Sequence, residues 1–145
     1  MKKRYSLVII LICLGMVGAL FSPALSQEKQ DAPSSSSGKL TLGRAVMCES
    51  IKDYKPENVA VVFSITIGRV SCYTSFDVVP EQTYIYHKWY HKDAPSTEKR
   101  LTLQPPEWAS YSSIQLRETD KGPWRVEIFD QENNLLHTLR FSITD

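Results

Sequence analysis

The sequence predicts an all-β fold: a single antiparallel β-sandwich, immunoglobulin-like, with about eight strands. Three observations predict it. From Leu40 to the C-terminus, apolar side chains recur with a period of two, which is the period of a strand with one buried face. These runs are short and are separated by turn-forming residues at regular intervals. No stretch has the apolar spacing of a convincing amphipathic helix.

Residues 1–26 are predicted to be a secretory signal peptide. A basic start, KKR, precedes the apolar run LVIILICLGMVGALF, and Ala-Leu-Ser at 24–26 offers small residues for cleavage after residue 26. The alternative is an uncleaved anchor helix, but the run is shorter than the ~20 apolar residues that a spanning helix needs. We therefore expect a periplasmic or secreted protein, which associates with a membrane only if the leader stays uncleaved.

Loss of the leader changes the charge of the chain. The sequence has 17 Lys and Arg against 16 Asp and Glu, and removal of the three basic residues at the start leaves 14 against 16. The remaining charges alternate in sign and form no basic cluster. Because nucleic-acid binding needs a concentrated positive patch, no nucleic-acid partner is expected.

The rest of the chain divides into a tether and one domain. Residues 27–39, QEKQDAPSSSSGK, are polar and Ser-rich, and they predict a disordered tether. Residues 40–145 then form the β-sandwich domain, since about a hundred residues suffice for one modest core. Its predicted strands are, in order, LGRAVMCE, VAVVFSIT, RVSCYTSFDV, QTYIYHKWYH, KRLTLQ, SYSSIQLRE, PWRVEIFD and LLHTLRFSIT. Turns are expected at residues 67–69, 119–123 and 130–134.

Cys48 and Cys72 are predicted to form a disulfide. An even pair of cysteines in an oxidising compartment is more often bonded than free. Alternation places Cys48 on one face with Val46, and Cys72 on one face with Val70 and Phe76, and both faces are apolar enough to meet the core. The alternative is two buried free thiols.

The stretch IYHKWYH, residues 85–91, contains two of the three histidines. His87 and His91 would share one face of a helix and could then bind a metal, but on a strand they lie roughly 13 Å apart. No metal site and no cofactor are therefore predicted. Alternation instead places His87 and Trp89 on a core face, as a buried histidine beside a large apolar ring, and Trp124 is expected in the core of a later strand.

Exposed aromatic residues are the candidates for ligand binding. Tyr84, Tyr86 and Tyr90 alternate with the core residues and are expected on the outer face of their strand. Trp108 and Tyr111 follow the Pro-rich connection and form a second candidate group. Such rings can stack on sugars or pack against a protein partner, although an ordinary solvated sheet face would carry the same residues.

Catalysis is not expected. His87 could serve a hydrolase together with Ser112 or Ser113, but the sequence contains no Gly-x-Ser-x-Gly elbow, no phosphate-binding loop and no His-Glu-x-x-His. A hydrolase of this kind would need an exposed histidine within hydrogen-bond reach of a serine. We predict that the protein is not an enzyme and has no catalytic residues.

Several segments together resemble a bacterial family known as domain of unknown function 2914 (DUF2914). They are RAVMCESI, PENVAVVFSI, IYHKWY, WASYSS, GPWRVEIFD and a terminal RFSI. The resemblance covers Leu40 to Ile143, and its most specific elements are His87-x-Trp89 and Gly122-x-Trp124-x-Val126. It implies an extracytoplasmic domain and supplies no activity.

The function predicted from the sequence is that of an exported, non-catalytic binding or interaction module of the bacterial cell envelope. Its partner would be an envelope protein or a glycan. The alternative is a carbohydrate-binding domain that stacks sugars on exposed Tyr and Trp rings.

Overall fold

The computed structural model of this chain describes residues 38–145. The predicted signal peptide, residues 1–26, and the predicted tether up to residue 37 lie outside the described residues. The boundary expected at residue 40 falls one residue before the first strand.

The described residues form strands joined by short connections. The strands are β1 (Thr41–Lys52), β2 (Lys55–Val59), β3 (Val62–Ser64), β4 (Arg69–Val78), β5 (Thr83–His91), β6 (Ala94–Leu103), β7 (Trp108–Gln115), β8 (Gly122–Asp130) and β9 (Leu135–Thr144). Two 3-10 turns, Ile65–Ile67 and Glu118–Asp120, lie between them.

These strands form two sheets. One has the order β2-β1-β4-β7 and the other the order β3-β9-β8-β5-β6. All neighbours are antiparallel except β3 and β9, which run parallel. The predicted all-β fold is confirmed, with nine strands in the described residues where the sequence predicts about eight.

The additional strand arises where the chain changes sheets. VAVVFSIT was expected to form one strand, but the ladder breaks at Ala60 and Val61. Before the break, β2 pairs with β1, and after it β3 pairs with β9 in the other sheet. Gly68, with φ of +71°, ends the following 3-10 turn and leads back to β4 in the first sheet. This connection is therefore a crossing between the two sheets.

The core lies between the two sheets and has two apolar clusters. One is built around Met47, Trp89, Trp124 and Phe141, and the other around Phe76, Ile85, Leu103 and Ile128. His87 is 0 % exposed in this interior, and the two predicted core tryptophans, Trp89 and Trp124, are 1 % and 5 % exposed. Burial of each large apolar side chain contributes roughly 1.5–3 kcal/mol, so these residues supply much of the fold's stability.

The predicted disulfide between Cys48 and Cys72 is contradicted by the structure, in which both are buried free thiols. The strand register gives the reason. Cys48 lies directly opposite Ser71, and Cys72 lies opposite Met47. Directly opposite residues share a face, so the two thiols point to opposite faces of the sheet and cannot bond without backbone movement. Cys72 meets the core, whereas the Cys48 thiol donates to the Ser71 carbonyl oxygen at 3.6 Å.

No helix within residues 38–145 has the length and apolar character required to traverse a bilayer.

Candidate binding site

The tyrosines of β5 lie half-buried on the outer face of the five-stranded sheet. Their rings are covered by cations of the same chain. The Arg100 guanidinium lies 3.9 Å from the centre of the Tyr84 ring, and the Arg125 guanidinium lies 4.0 Å from the centre of the Tyr90 ring. Cation–π attraction stabilises such stacks, and each one occupies a ring face that a ligand would need.

The middle of this face is closed in the same way. The Lys88 ammonium lies 5.8 Å from the Tyr86 ring centre and 4.4 Å from that of Phe129. Tyr84 also meets Tyr86 edge to face, with ring centres 5.5 Å apart. The predicted group Tyr84, Tyr86 and Tyr90 is thus brought together, but its rings are engaged within the protein.

The second predicted pair lies on the other sheet and is open to solvent. Trp108 begins β7 and is 42 % exposed, and Tyr111, on the same strand, is 50 % exposed. Among the strands of residues 38–145, β7 is an edge strand and pairs only with β4. Tyr111 lies directly opposite Tyr73 of β4, so these two rings share the outer face of the four-stranded sheet.

The turn between β1 and β2 adds a residue that sequence reasoning missed. Tyr54 is 82 % exposed, and its φ is +58°. With Asp53 at +47°, both central residues of the two-residue hairpin are left-handed, as in a type I′ turn. A left-handed conformation is unfavourable for a bulky side chain, so this turn holds a large exposed ring at a cost in backbone energy.

These side chains line two hollows that share Tyr54 and Ala109. The larger hollow, of ≈ 470 Å³, is lined by Tyr54, Ser75, Phe76, Asp77, Glu107, Trp108 and Ala109. The smaller, of ≈ 180 Å³, is lined by Tyr54, Tyr73, Ala109, Ser110 and Tyr111. We call the two together the aromatic groove, after Tyr54, Tyr73, Trp108 and Tyr111, four of the five aromatic residues that line it. The fifth, Phe76, is 1 % exposed.

Two of these four residues, Tyr54 and Tyr73, were not predicted as site residues. The signal for Tyr73 was available, because it alternates with the core residue Cys72 and therefore belongs to the outer face. Tyr54 gave no such signal. The following strand, KPENV, is polar and mostly exposed, so neither the strand nor the hairpin that presents Tyr54 could be predicted from periodicity.

Behind β7, a buried polar network joins the two sheets. Ser112 Oγ lies 2.8 Å from His87 Nδ1 and accepts a hydrogen bond from Trp89 Nε1 at 3.1 Å. On the other side of the ring, His87 Nε2 lies 3.3 Å from Thr74 Oγ1, which donates to the carbonyl oxygen of Ser110. One arrangement gives every polar hydrogen of the network an acceptor. Trp89 donates to Ser112, which donates to His87 Nδ1. His87 Nε2–H then donates to Thr74, and Thr74 donates to the Ser110 carbonyl oxygen.

This network makes His87 a structural residue. Burial lowers the pKa of His87 to about 4, from an ordinary value of 6.5, and keeps the ring neutral. A serine does lie within hydrogen-bond reach of His87, as a hydrolase would require. However, His87 is 0 % exposed and Ser112 6 % exposed, so no substrate can reach either group. The neighbour at Nε2 is a threonine hydroxyl, not a carboxylate.

His91, the other histidine of β5, contacts different residues. Its ring stacks on Trp124 at 4.5 Å, and its Nε2 lies 3.0 Å from the Lys121 carbonyl oxygen. Among the residues that the structure describes, no group of three or more His, Cys, Asp or Glu side chains is placed to hold a metal ion.

Residues 82–143 match the family described as "Protein of unknown function (DUF2914)". The predicted family resemblance is confirmed over this segment. The DUF2914 match runs from the start of β5 into β9, so it includes His87, Ser112, Trp108 and Tyr111. Tyr54 and Tyr73 precede the matched segment. The family description assigns no activity, and no enzyme family is evident.

Other comparisons add little. A search of curated proteins found no match. One solved structure with similarity is "Beta-D-glucoside glucohydrolase from Trichoderma reesei", at 16 % identity and a TM-score of 0.33, with 73 % of this chain and 19 % of that chain covered. The aligned part is about a fifth of that chain, and at this TM-score the likeness carries no argument.

Proposed function

We propose that this protein is an exported, non-catalytic binding domain of the cell envelope that engages a partner protein through the aromatic groove. The observation that carries the proposal is the exposure of Tyr54, Trp108 and Tyr111 around two hollows that share Tyr54 and Ala109. Exposed rings that line a concave surface are common anchors of protein interfaces, because they bury much area at a small cost in side-chain entropy.

The two faces of the sandwich differ in a way that favours this groove. On the five-stranded sheet, Arg100 and Arg125 cover the rings of Tyr84 and Tyr90. In the aromatic groove, by contrast, Tyr54, Trp108 and Tyr111 are exposed. Burial of the Ser112–His87 pair supports a role without catalysis. The leader-like residues 1–26 support export.

Site-specific crosslinking tests this proposal. A photoreactive phenylalanine analogue replaces Tyr54 or Tyr111 in the groove and, as matched controls, Tyr84 or Tyr86 on the opposite sheet. We expect one partner to crosslink from the groove positions alone, and the same partner, once purified, to bind the wild-type protein. Binding should be lost in Trp108→Ala plus Tyr111→Ala, with the β-sheet circular dichroism unchanged. Equal crosslinking from both faces, or from neither, contradicts the proposal.

Export is tested separately by the intact mass of the protein from the periplasmic or culture fraction. We expect a chain that starts at residue 27. A chain that retains residues 1–26 would instead indicate a membrane-anchored protein.

Carbohydrate binding is the second candidate, and the exposure of Trp108 and Tyr111 is what favours it. It predicts retention of the wild type on an envelope or cell-wall polysaccharide. Retention should be lost in Trp108→Ala plus Tyr111→Ala and kept in Tyr86→Ala plus Tyr90→Ala, because those rings are covered. Absence of retention on all such glycans contradicts this candidate.

A further inference from the structure

Among residues 38–145, two carboxylates and no cation line the larger hollow of the aromatic groove. Asp77 and Glu107 are the charged residues that line it, and both are exposed. Neither belongs to an ion pair within residues 38–145. Arg44 of β1 lies opposite Ser75, yet it neither lines the hollow nor pairs with either carboxylate. The hollow therefore combines negative charge with open aromatic rings.

A bulge in β1 makes room for one of these carboxylates. The register of β1 against β4 shifts between Leu42 and Arg44, and Gly43 lies at this shift. A Cβ atom at Gly43 would lie 2.2 Å from Asp77 Oδ1, which is far inside van der Waals contact. The absence of a side chain at this position allows the Asp77 carboxylate to lie where it does.

On the opposite sheet, an aromatic ring and a carboxylate also lie close together, and there a cation of the same chain contacts both. There, the Arg125 guanidinium stacks on Tyr90 at 4.0 Å and donates from Nε to Glu127 at 2.9 Å. Ring, cation and carboxylate occur together. The groove supplies the ring and the carboxylate, while the described residues supply no cation to it. Charge complementarity therefore favours a bound partner that supplies the cation.

We propose that the aromatic groove receives a basic side chain, arginine or lysine, of the partner polypeptide. The cation lies against the rings of Tyr54 and Trp108, with Asp77 and Glu107 to neutralise it. This inference rests on the proposed function and names the chemical group that the groove recognises. Arginine suits the site best, because its planar guanidinium stacks on a ring and donates in its plane to carboxylates.

A pair of peptides tests the charge. The probes are acetylated, amidated Gly-Ser-Arg-Ser-Gly and the same peptide with citrulline, a neutral isostere, in place of arginine. Trp108 reports binding by its fluorescence, because the other two tryptophans are buried. We expect a saturable change with the arginine peptide in the millimolar range and binding at least tenfold weaker with citrulline. Trp108→Phe should abolish the signal, and added salt should weaken the binding.

Charge-removing variants locate the site. Asp77→Asn and Glu107→Gln should each weaken binding of the arginine peptide roughly threefold or more, and the double variant roughly tenfold, with little effect on the citrulline peptide. Glu81→Gln is the matched control, because Glu81 is an exposed carboxylate that does not line the groove. This variant should bind as the wild type does.

Three results would overturn the inference. Equal affinity for the two peptides would show that charge is not recognised. Binding to phosphatidylethanolamine vesicles without binding to the arginine peptide would place the cation on a membrane surface. Loss of affinity in Glu81→Gln equal to that in Glu107→Gln would show a nonspecific charge effect. If the first or the second result occurred while groove-specific crosslinking persisted, the proposed function would stand without this ligand. If crosslinking and peptide binding were both absent, the proposed function and this inference would both be wrong.

Discussion

Ser112 of β7 and His87 of β5 join the two sheets of the sandwich through a hydrogen bond of 2.8 Å between Oγ and Nδ1. The neighbouring residue on β7 faces the opposite way, towards the surface. Tyr111, the preceding residue, points outward into the aromatic groove, whereas Ser112 points inward. A slip of β7 by one residue would exchange these faces. The buried network therefore helps to fix the register of the edge strand that carries Tyr111 and Trp108.

Removal of the Ser112 hydroxyl should destabilise the fold. Ser112→Ala leaves His87 Nδ1 and Trp89 Nε1 buried without their partner, and each unsatisfied group costs about 1–3 kcal/mol. We expect the free energy of unfolding in urea to fall by roughly 2–4 kcal/mol. Ser113→Ala is the control. Within the described residues, the Ser113 hydroxyl bonds only to the Ser71 hydroxyl, on the outer face, and its loss should cost about 1 kcal/mol. Equal effects of the two substitutions would contradict this role for Ser112.

His87 should make the fold sensitive to acid. Its pKa is about 4 in the folded protein and near 6.5 in the unfolded chain, so between these values the unfolded chain binds more protons. The stability due to the neutral ring is thus complete above pH 6.5 and is lost as the pH falls towards 4. The full loss corresponds to about 3 kcal/mol.

Urea unfolding at pH 7 and at pH 4.5 measures this effect. His87→Gln should be less stable at pH 7 but should lose less stability than the wild type on acidification. His137→Gln is the control, because His137 is exposed on β9 and lies outside the network. If the wild type and His87→Gln lost equal stability between the two pH values, the assignment would be wrong.

The two cysteines should react as buried thiols. Both are 0 % exposed, and burial raises the pKa of the Cys48 thiol to about 11 and that of Cys72 further. A chain that starts at residue 27 should show no fast reaction with a disulfide reagent when folded. In denaturant without reductant it should show two titratable thiols. Absence of thiols in the denatured chain would contradict the free cysteines of the structure.

The sequence predicted the parts of the fold that depend on alternation. The period of two placed His87 and Trp89 on one face of β5 and the three tyrosines on the other, because a strand with one buried face leaves this pattern in its composition. Alternation failed for Cys48, since it defines two faces but not which of them is inside. Val46 and Cys48 form an apolar stripe on the outer face, and the core residue between them is Met47.

The aromatic groove could be predicted only in part. Trp108 and Tyr111 are three residues apart on one strand, so their grouping is local. Tyr54 joins them through a hairpin whose second strand has no apolar face, and the covering of Tyr84 and Tyr90 depends on arginines from β6 and β8. Such contacts between distant segments leave no periodic signal.

Tyr54→Gly should separate stability from binding. In this variant the turn contains Asp-Gly, the pair that type I′ hairpins favour, because glycine adopts a positive φ without steric cost. Since the Tyr54 ring is 82 % exposed, its removal loses little packing. We expect the free energy of unfolding to rise by about 1 kcal/mol. Binding through the aromatic groove should weaken, because the variant lacks one of the two exposed rings that line the larger hollow.

Asn58→Gly is the matched control for this last experiment. Asn58 also has a positive φ, of +52°, but asparagine tolerates this conformation, and its side chain donates to Glu49 at 2.7 Å. Its replacement should therefore raise stability less than Tyr54→Gly and leave binding unchanged. A Tyr54→Gly variant that is less stable than the wild type would show that the ring contributes packing which outweighs its backbone cost. Full binding by that variant would remove Tyr54 from the site.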